Sequence, residues 1–405
     1  MPFNVGVTGL NAASADLNVT GHNIANASTS GFKESRAEFM DIFAQSYNSA
    51  YKTATGSGVR LASVSQQFTQ GSLNFTGNSM DMAINGQGFF VLERDGVTEY
   101  TRAGQFQANQ EGFVVNAAGQ RLMGYPPEGG NLLAPIQLTT GDAEPKVTSK
   151  IDVLMNLSAE AEPIDGDTIG IDPADPDTFN YSTSLTVYDS LGSARTVSLF
   201  FQRQPPPEDK SWNVDAYMDV GGDLTSVGTG GLEFNSDGTL ETVTPLRIEA
   251  VDLPNGAENL GIDVDFGQTT QYGNKFSVAA LRQDGYAIGQ LVSVDVDTDG
   301  TVFARYSNGT DRSLGRVALA NFTNPQGLQS VGGTNWAVTP ASGEPVLGAG
   351  GESNFGLIQG GAFEESNVNI ADQLVKLITA QRNFQANAQV ISTADTLTQT
   401  IINIR

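Results

Sequence analysis

Apolar positions recur with two different periods along this chain, and the change of period divides it. At the start, Phe3, Gly6, Leu10, Ala13, Leu17, Thr20, Ile24 and Ala27 follow alternating steps of three and four, a heptad seam that is weak at Gly6 and Thr20. Pro2 suits a first helical turn. At the far end Ile370, Leu374, Leu377, Gln381, Phe384, Ala388, Ile391, Asp395, Thr398 and Ile402 form a second seam. Val390, Ala394, Leu397, Ile401 and Ile404 run beside it, so this helix is apolar over a broad face and is expected to touch more than one neighbour. Between the two ends lie short alternating or apolar runs closed by turn dipeptides, such as Gly88–Leu92 before Asp95-Gly96 and Ser293–Asp297 before Asp299-Gly300. The pattern predicts a mainly β body with terminal α-helices. Its strands are antiparallel, in sandwiches or barrels, and the two ends form a coiled-coil type pair.

Charge sharpens this division. Residues 1–32 hold one charged side chain, Asp16, and residues 383–404 hold one, Asp395. The polar positions there are Asn, Gln, Ser, Thr and Gly, poor helix formers without charge pairs to assist them. Isolated, such segments fray, so both ends are expected to become helical only when packed. The seams fit an intramolecular pair and intermolecular packing equally well. In the middle, residues 141–180 carry ten acidic side chains against Lys146 and Lys150. That shift sets the expected layout. Residues 1–27 and 370–405 are helical, and 28–70 with 360–369 connect. Residues 71–146 with 285–359 make an inner β domain, and 147–284 an inserted outer β domain. Residues 28–70 are read as a connector that lets copies shift against one another.

The 405 residues include 45 acidic and 21 basic side chains, for a net charge of −24. No Lys/Arg cluster exists to displace counterions, which argues against nucleic acid and disfavours an anionic membrane surface as partners. With no cysteine and only His22, thiolate chemistry, His-pair metal sites and Ser-His-Asp catalysis are excluded too. No run is long and apolar enough to span a bilayer, and the first basic residue is Lys33, so no signal peptide is expected. The chain is thus expected to be cytosolic or exported with its N-terminus intact.

Candidate chemistry is sparse. Asp295, Asp297, Asp299 and Gly300 spell the start of a calcium loop, yet the twelfth position is Tyr306 instead of a bidentate Glu, which favours a hairpin. Close acidic pairs, Asp175 with Asp177 and Glu364 with Glu365, are read as solvated surface instead of glycosidase carboxylates. His22 is expected to make a polar contact at the end of its helix, and Trp212 and Trp336 to be core or interface residues. No catalytic residue, cofactor or metal is expected. A secreted β-rich carbohydrate-active enzyme or adhesin stays open as a reading of a different class.

Leu10-Asn11-Ala12, Asn23-Ile24-Ala25-Asn26 and Thr29-Ser30-Gly31-Phe32-Lys33 resemble the N-terminal signature of the bacterial flagellar rod and hook protein family. Glu365–Val368, Ala380–Ala388 and Ile402–Arg405 resemble its C-terminal signature, and Asp81–Phe90 its shared β domain. The large middle, with Tyr188–Gly192 and Gly285-Tyr286, is similar to that of the hook members. The resemblance implies a structural subunit of the flagellar hook, polymerising with itself into a curved, flexible tube. Such a tube transmits torque and leaves an export channel. It implies extracellular assembly after type III export, with the distal rod protein, the hook cap and the hook–filament junction protein as neighbours. A distal rod or other axial subunit is the alternative. Assembly is then expected to rest on Leu10, Ala13, Leu17, Ile24, Leu374, Leu377, Phe384, Ala388, Ile391, Leu397 and Ile401.

Overall fold

A computed structural model describes residues 2–42, 56–130, 132–138, 141–164, 169–206, 208, 210–220, 223–249 and 253–403. The chain is mainly β with a helix at each end: α1 spans Pro2–Ala25 and α2 Ile370–Asn403. Two compact units result. The first comprises residues 1–140, 293–305 and 311–405; the second comprises 141–292 and 306–310.

In the first unit α1 and α2 pack antiparallel. Gly6 lies against Ile391, Gly9 against Asn387, and Asn23 against Gln373. An antiparallel ribbon follows α1, formed by β1 (Ser35–Asp41) and β2 (Val59–Gln66). The stretch expected to be a connector therefore carries regular structure in its described part; residues 43–55 of it lie outside the described residues. The body of this unit is a large sheet in which Phe89–Arg94 pairs with Val97–Thr101, Arg121–Tyr125 and Asp311–Asn321. Asp95-Gly96 makes the tight turn between the first two, with φ of 53° and 81° and Arg94 opposite Val97, as that dipeptide predicts. Phe89, Tyr100, Phe322 and Trp336 pack edge-to-face on one side of the sheet. Two short ladders lead towards α2: Leu357–Gly360 pairs with Met82–Asn85, and Ala362–Glu364 with Leu73–Phe75.

The second unit is built from two five-stranded sheets that share one core. Ser211–Val220 alternates cleanly, burying Trp212, Val214, Ala216 and Met218 while Asn213, Asp215 and Tyr217 face away. Its sheet is antiparallel throughout. The other sheet departs from the all-antiparallel expectation. Lys150–Ser158 pairs in parallel with Ile262–Asp265 and Thr270–Tyr272, and antiparallel with Ser277–Gln283. Lys150–Ser158 lies more than a hundred residues before its parallel partners, so the long excursion through the other sheet supplies the crossover that parallel pairing needs.

The Asp295–Gly300 stretch ends the strand Leu291–Val296 and turns into the strand Thr301–Tyr306. Asp299 accepts hydrogen bonds from the Thr301 N–H (2.8 Å) and hydroxyl (2.9 Å), and Asp295 pairs with Arg305 (2.6 Å). Trp212 and Trp336 are both buried. Among the described residues no helix is long and apolar enough to cross a membrane.

Candidate functional site

The paired ends meet through small residues. On α1 the buried positions are Gly6, Ala13 and Thr20, seven apart, and then Asn23. Leu10, Leu17 and Ile24 flank them half-buried, while Ala25 is exposed. On α2, Gln373, Ala380 and Ala394 are buried, with Leu377, Phe384, Asn387 and Ile391 half-buried on the same face. This corrects the expected seam. Leu377, Phe384 and Ile391 belong to it, but the intervening positions are 373, 380, 387 and 394, one residue before 374, 381, 388 and 395. Close approach explains the shift. A Cβ on Gly9 would stand 2.3 Å from Asn387 Oδ1, and one on Gly6 2.9 Å from Ile391 Cγ1. Gly6, read as a weak position of the seam, is thus a point of close contact, as is Gly9 beside it.

Several residues expected to drive packing stay uncovered within the pair. Leu374 is 47% exposed and Leu397 58%, and Ala388 is half-buried. Phe3, Val5, Val375, Ile378, Val390 and Ile402 are exposed as well. A shallow apolar groove on α2 is lined by Ala386, Gln389, Val390, Thr393, Ala394 and Leu397. Ile404 and the side chain of Ile401 lie outside the described residues. The ribbon adds exposed Phe39, Met40, Leu61 and Val64. Exposed apolar side chains this numerous on one end of a chain mark an interaction surface.

The root of the helical pair is polar and buried. Asn23 donates from Nδ2 to the Ser35 carbonyl (2.8 Å) and to Gln373 Oε1 (3.2 Å), and its Oδ1 accepts the Ser35 N–H (2.9 Å). Asn26 donates to the His22 carbonyl (2.9 Å) and accepts from the Thr29 hydroxyl (3.2 Å), closing the end of α1. The His22 ring meets Phe32 edge-on and lies 3.4 Å from Asn26 Nδ2, a contact at the helix end. Gly31 takes a φ of +68° and passes so close to Ala103 that a Cβ would sit 2.3 Å from its nitrogen. Only glycine suits both the left-handed backbone and the approach.

Lys33 is 1% exposed. Its Nζ donates to Glu364 Oε1 (2.7 Å) and to the Thr69 carbonyl (2.8 Å). Glu364 Oε1 also accepts the Gly71 N–H (2.7 Å), and Oε2 accepts from Arg102 Nη1 (3.3 Å). Arg102 Nη2 donates to the Gly86 carbonyl (2.8 Å), and its guanidinium lies over the Phe89 ring. Burial pulls both cations below their ordinary range, partly offset by Glu364. This corrects the reading of Glu364 as solvated surface: its side chain is fully buried. Glu34, Asn367 and Lys376 extend the network, with Glu34 Oε1 accepting from Gln373 Nε2 (2.8 Å) and Lys376 Nζ (2.7 Å). Asn367 accepts the Glu34 N–H (2.7 Å) and donates to the Gln67 carbonyl (2.8 Å). The sequence reading missed Arg102, Glu364 and Gln373 as members of this site. The available signal was Lys33 itself, a lone cation after a stretch almost free of charge.

Four family models match in chain order: flagella basal body rod protein over residues 3–33, flagellar hook protein FlgE/F/G D1 domain over 83–154, flagellar basal body protein FlaE D2 domain over 156–286, and flagellar basal body rod FlgEFG protein C-terminal over 359–404. The chain is 37% identical over 416 residues to the flagellar hook protein FlgE of Salmonella typhimurium, covering 100% of both chains. It is equally similar to that of Escherichia coli K12, and 30% identical over 442 residues to that of Borreliella burgdorferi, covering 99% of this chain and 98% of that one. The crystal structure of Helicobacter pylori flagellar hook protein FlgE2 shares the fold at a TM-score of 0.55 and 15% identity, over 71% of this chain and 99% of that one.

Proposed function

The chain belongs to the flagellar hook protein family, and from that premise we propose how its parts divide the work of a hook subunit. It is a structural subunit of the bacterial flagellar hook. Residues 1–27 and 370–405 pack with the same segments of neighbouring copies into the inner wall of a tube. The observation that carries this is the uncovered apolar flank of the α1–α2 pair, Leu374, Val390 and Leu397 above all. Burying it against other copies, at ~25 cal/mol per Å², offsets the entropy of ordering helices that have few charge pairs of their own.

Residues 28–70 and 360–369 connect that wall to the β domains, 71–146 with 285–359 and 147–284, which form the outer tube. The contact between copies is heterologous and does not close on itself, which is what extends a helical polymer. The tube is curved and flexible, carries torque from rod to filament and encloses a channel lined largely by Asn, Gln, Ser and Thr. Its subunits arrive through the flagellar type III export apparatus. Its neighbours are the distal rod protein, the hook cap and the hook–filament junction protein. The subunit works without chemistry on a substrate.

The test is electron microscopy of concentrated protein beside a version lacking residues 1–27 and 370–405. Hollow curved tubes are expected from the intact chain alone. Straight tubes favour a rod subunit, and tubes from the shortened chain overturn the assignment of assembly to the ends.

A further inference from the structure

We infer that Glu364 is the positioning residue that fixes both ends of the chain to the sheet of the first unit, and that of its ionic cluster it alone cannot be removed singly. The inference rests on the hook reading for its consequence in assembly, and on the cluster's charge count for its content.

Three stretches far apart in sequence converge on this carboxylate. Lys33 follows α1, Arg102 follows the strand Val97–Thr101, and Glu364 closes the ladder that leads to α2. The Glu364 carbonyl also accepts the Gly31 N–H (2.8 Å) and the Ser30 hydroxyl (3.2 Å), so backbone and side chain hold the same segment. Both cations and the carboxylate are nearly or fully buried, and among the described residues Glu364 is the only carboxylate within ion-pair reach of Lys33 or Arg102. The cluster thus holds two cations against one anion.

That imbalance makes the three side chains unequal. Without Lys33, Arg102 and Glu364 remain as a neutral pair. Without Arg102, Lys33 and Glu364 do. Without the Glu364 charge, two cations face each other in a dry site with no counter-charge, the costliest arrangement a buried group can be left in. The segments that carry them then separate, and the helical pair loses its fixed place on the sheet.

The full-length chain is compared with Glu364→Gln, Lys33→Met, Arg102→Met and the triple variant. Two readouts are taken from the same concentrated samples: the protein concentration at which tubes appear, and amide exchange across residues 29–35. Near-ultraviolet circular dichroism, with Trp212 and Trp336 both buried, checks that the β units stay folded. Glu364→Gln is expected to raise the assembly concentration by about tenfold or more and to free the amides, while each single methionine variant changes it by less than about threefold. The triple variant, which removes every charge, is expected to recover most of the loss, since apolar side chains of similar volume tolerate such a site. Equal effects of the three single variants, or unchanged exchange and assembly in Glu364→Gln, overturn the inference. If the unaltered chain forms no tubes at all, the hook reading fails, and exchange across residues 29–35 still decides the role of Glu364.

Discussion

Asn23 and Gln373 stand 350 positions apart in the chain, and the Asn23 amide donates to the Gln373 side-chain oxygen at 3.2 Å inside the root of the helical pair. The same Asn23 side chain serves the Ser35 N–H and carbonyl, so one buried amide joins α1, α2 and the start of β1. Asn23→Ala leaves Ser35 and Gln373 with unsatisfied groups. The expected cost is about 2–3 kcal/mol, seen as a lower melting temperature of the helical signal in assembled samples with the β signal unmoved.

Gly31→Ala tests the left-handed backbone and the close approach to Ala103 together. The methyl group meets backbone atoms that cannot rotate away. A loss of about 3 kcal/mol or more is expected, measured by chemical denaturation and by proteolysis of the segment after α1. Gly21→Ala is the control. A Cβ there meets nothing within 4 Å, and alanine favours the helix by up to about 1 kcal/mol.

Asp16, the one charge of α1, has its carboxyl pushed up by burial, partly offset by Lys376. The folded form then holds its proton more tightly than the unfolded chain. Stability from this group is present at low pH and declines as pH rises from the ordinary carboxylate value, about 3.9, through the raised folded value. Asp16→Asn is expected to flatten that part of the stability-against-pH curve while leaving the rest unchanged. A curve identical to that of the unaltered chain counts against the shift.

Leu374→Ser and Leu397→Ser remove apolar groups that the helical pair itself leaves uncovered. The melting temperature of the dilute chain is expected to stay within about 1–2 °C, because a surface change costs under about 0.5 kcal/mol. The concentration at which tubes form is expected to rise by about tenfold for each leucine, from the loss of ~1–2 kcal/mol of buried surface per contact. Ala380→Ser, buried between the helices, is expected instead to lower the melting temperature of the helical signal in assembled samples.

Much of the fold was legible because its signals are local. The Asp95-Gly96 turn and the apolar run Gly88–Leu92 before it each need only neighbouring residues, and the structure has a strand over Phe89–Arg94 with that turn after it. Parallel pairing of Lys150–Ser158 was not legible, since alternation states which face a residue takes and says nothing of the strand beside it. The seam was displaced by one position on α2 because a search for apolar periodicity passes over the polar Gln373 and Asn387 and gives the small Ala380 and Ala394 little weight. At a close helix contact the small ones are the residues that fit. Glu364 was misread for a third reason. Its counter-charges are 331 and 262 residues away, so beside Glu365 it looked like ordinary surface acid.

The unequal lengths of the two helices carry a last implication. α1 begins at Pro2, and Gly6 already lies beside Ile391, so the α2 residues beyond about 396 run past the start of α1. At 1.5 Å per residue that stub is about 12 Å long, and it carries the exposed Leu397 and Ile402. In the proposed tube a neighbouring copy is expected to cover this stretch, which would give each contact between copies two unlike faces.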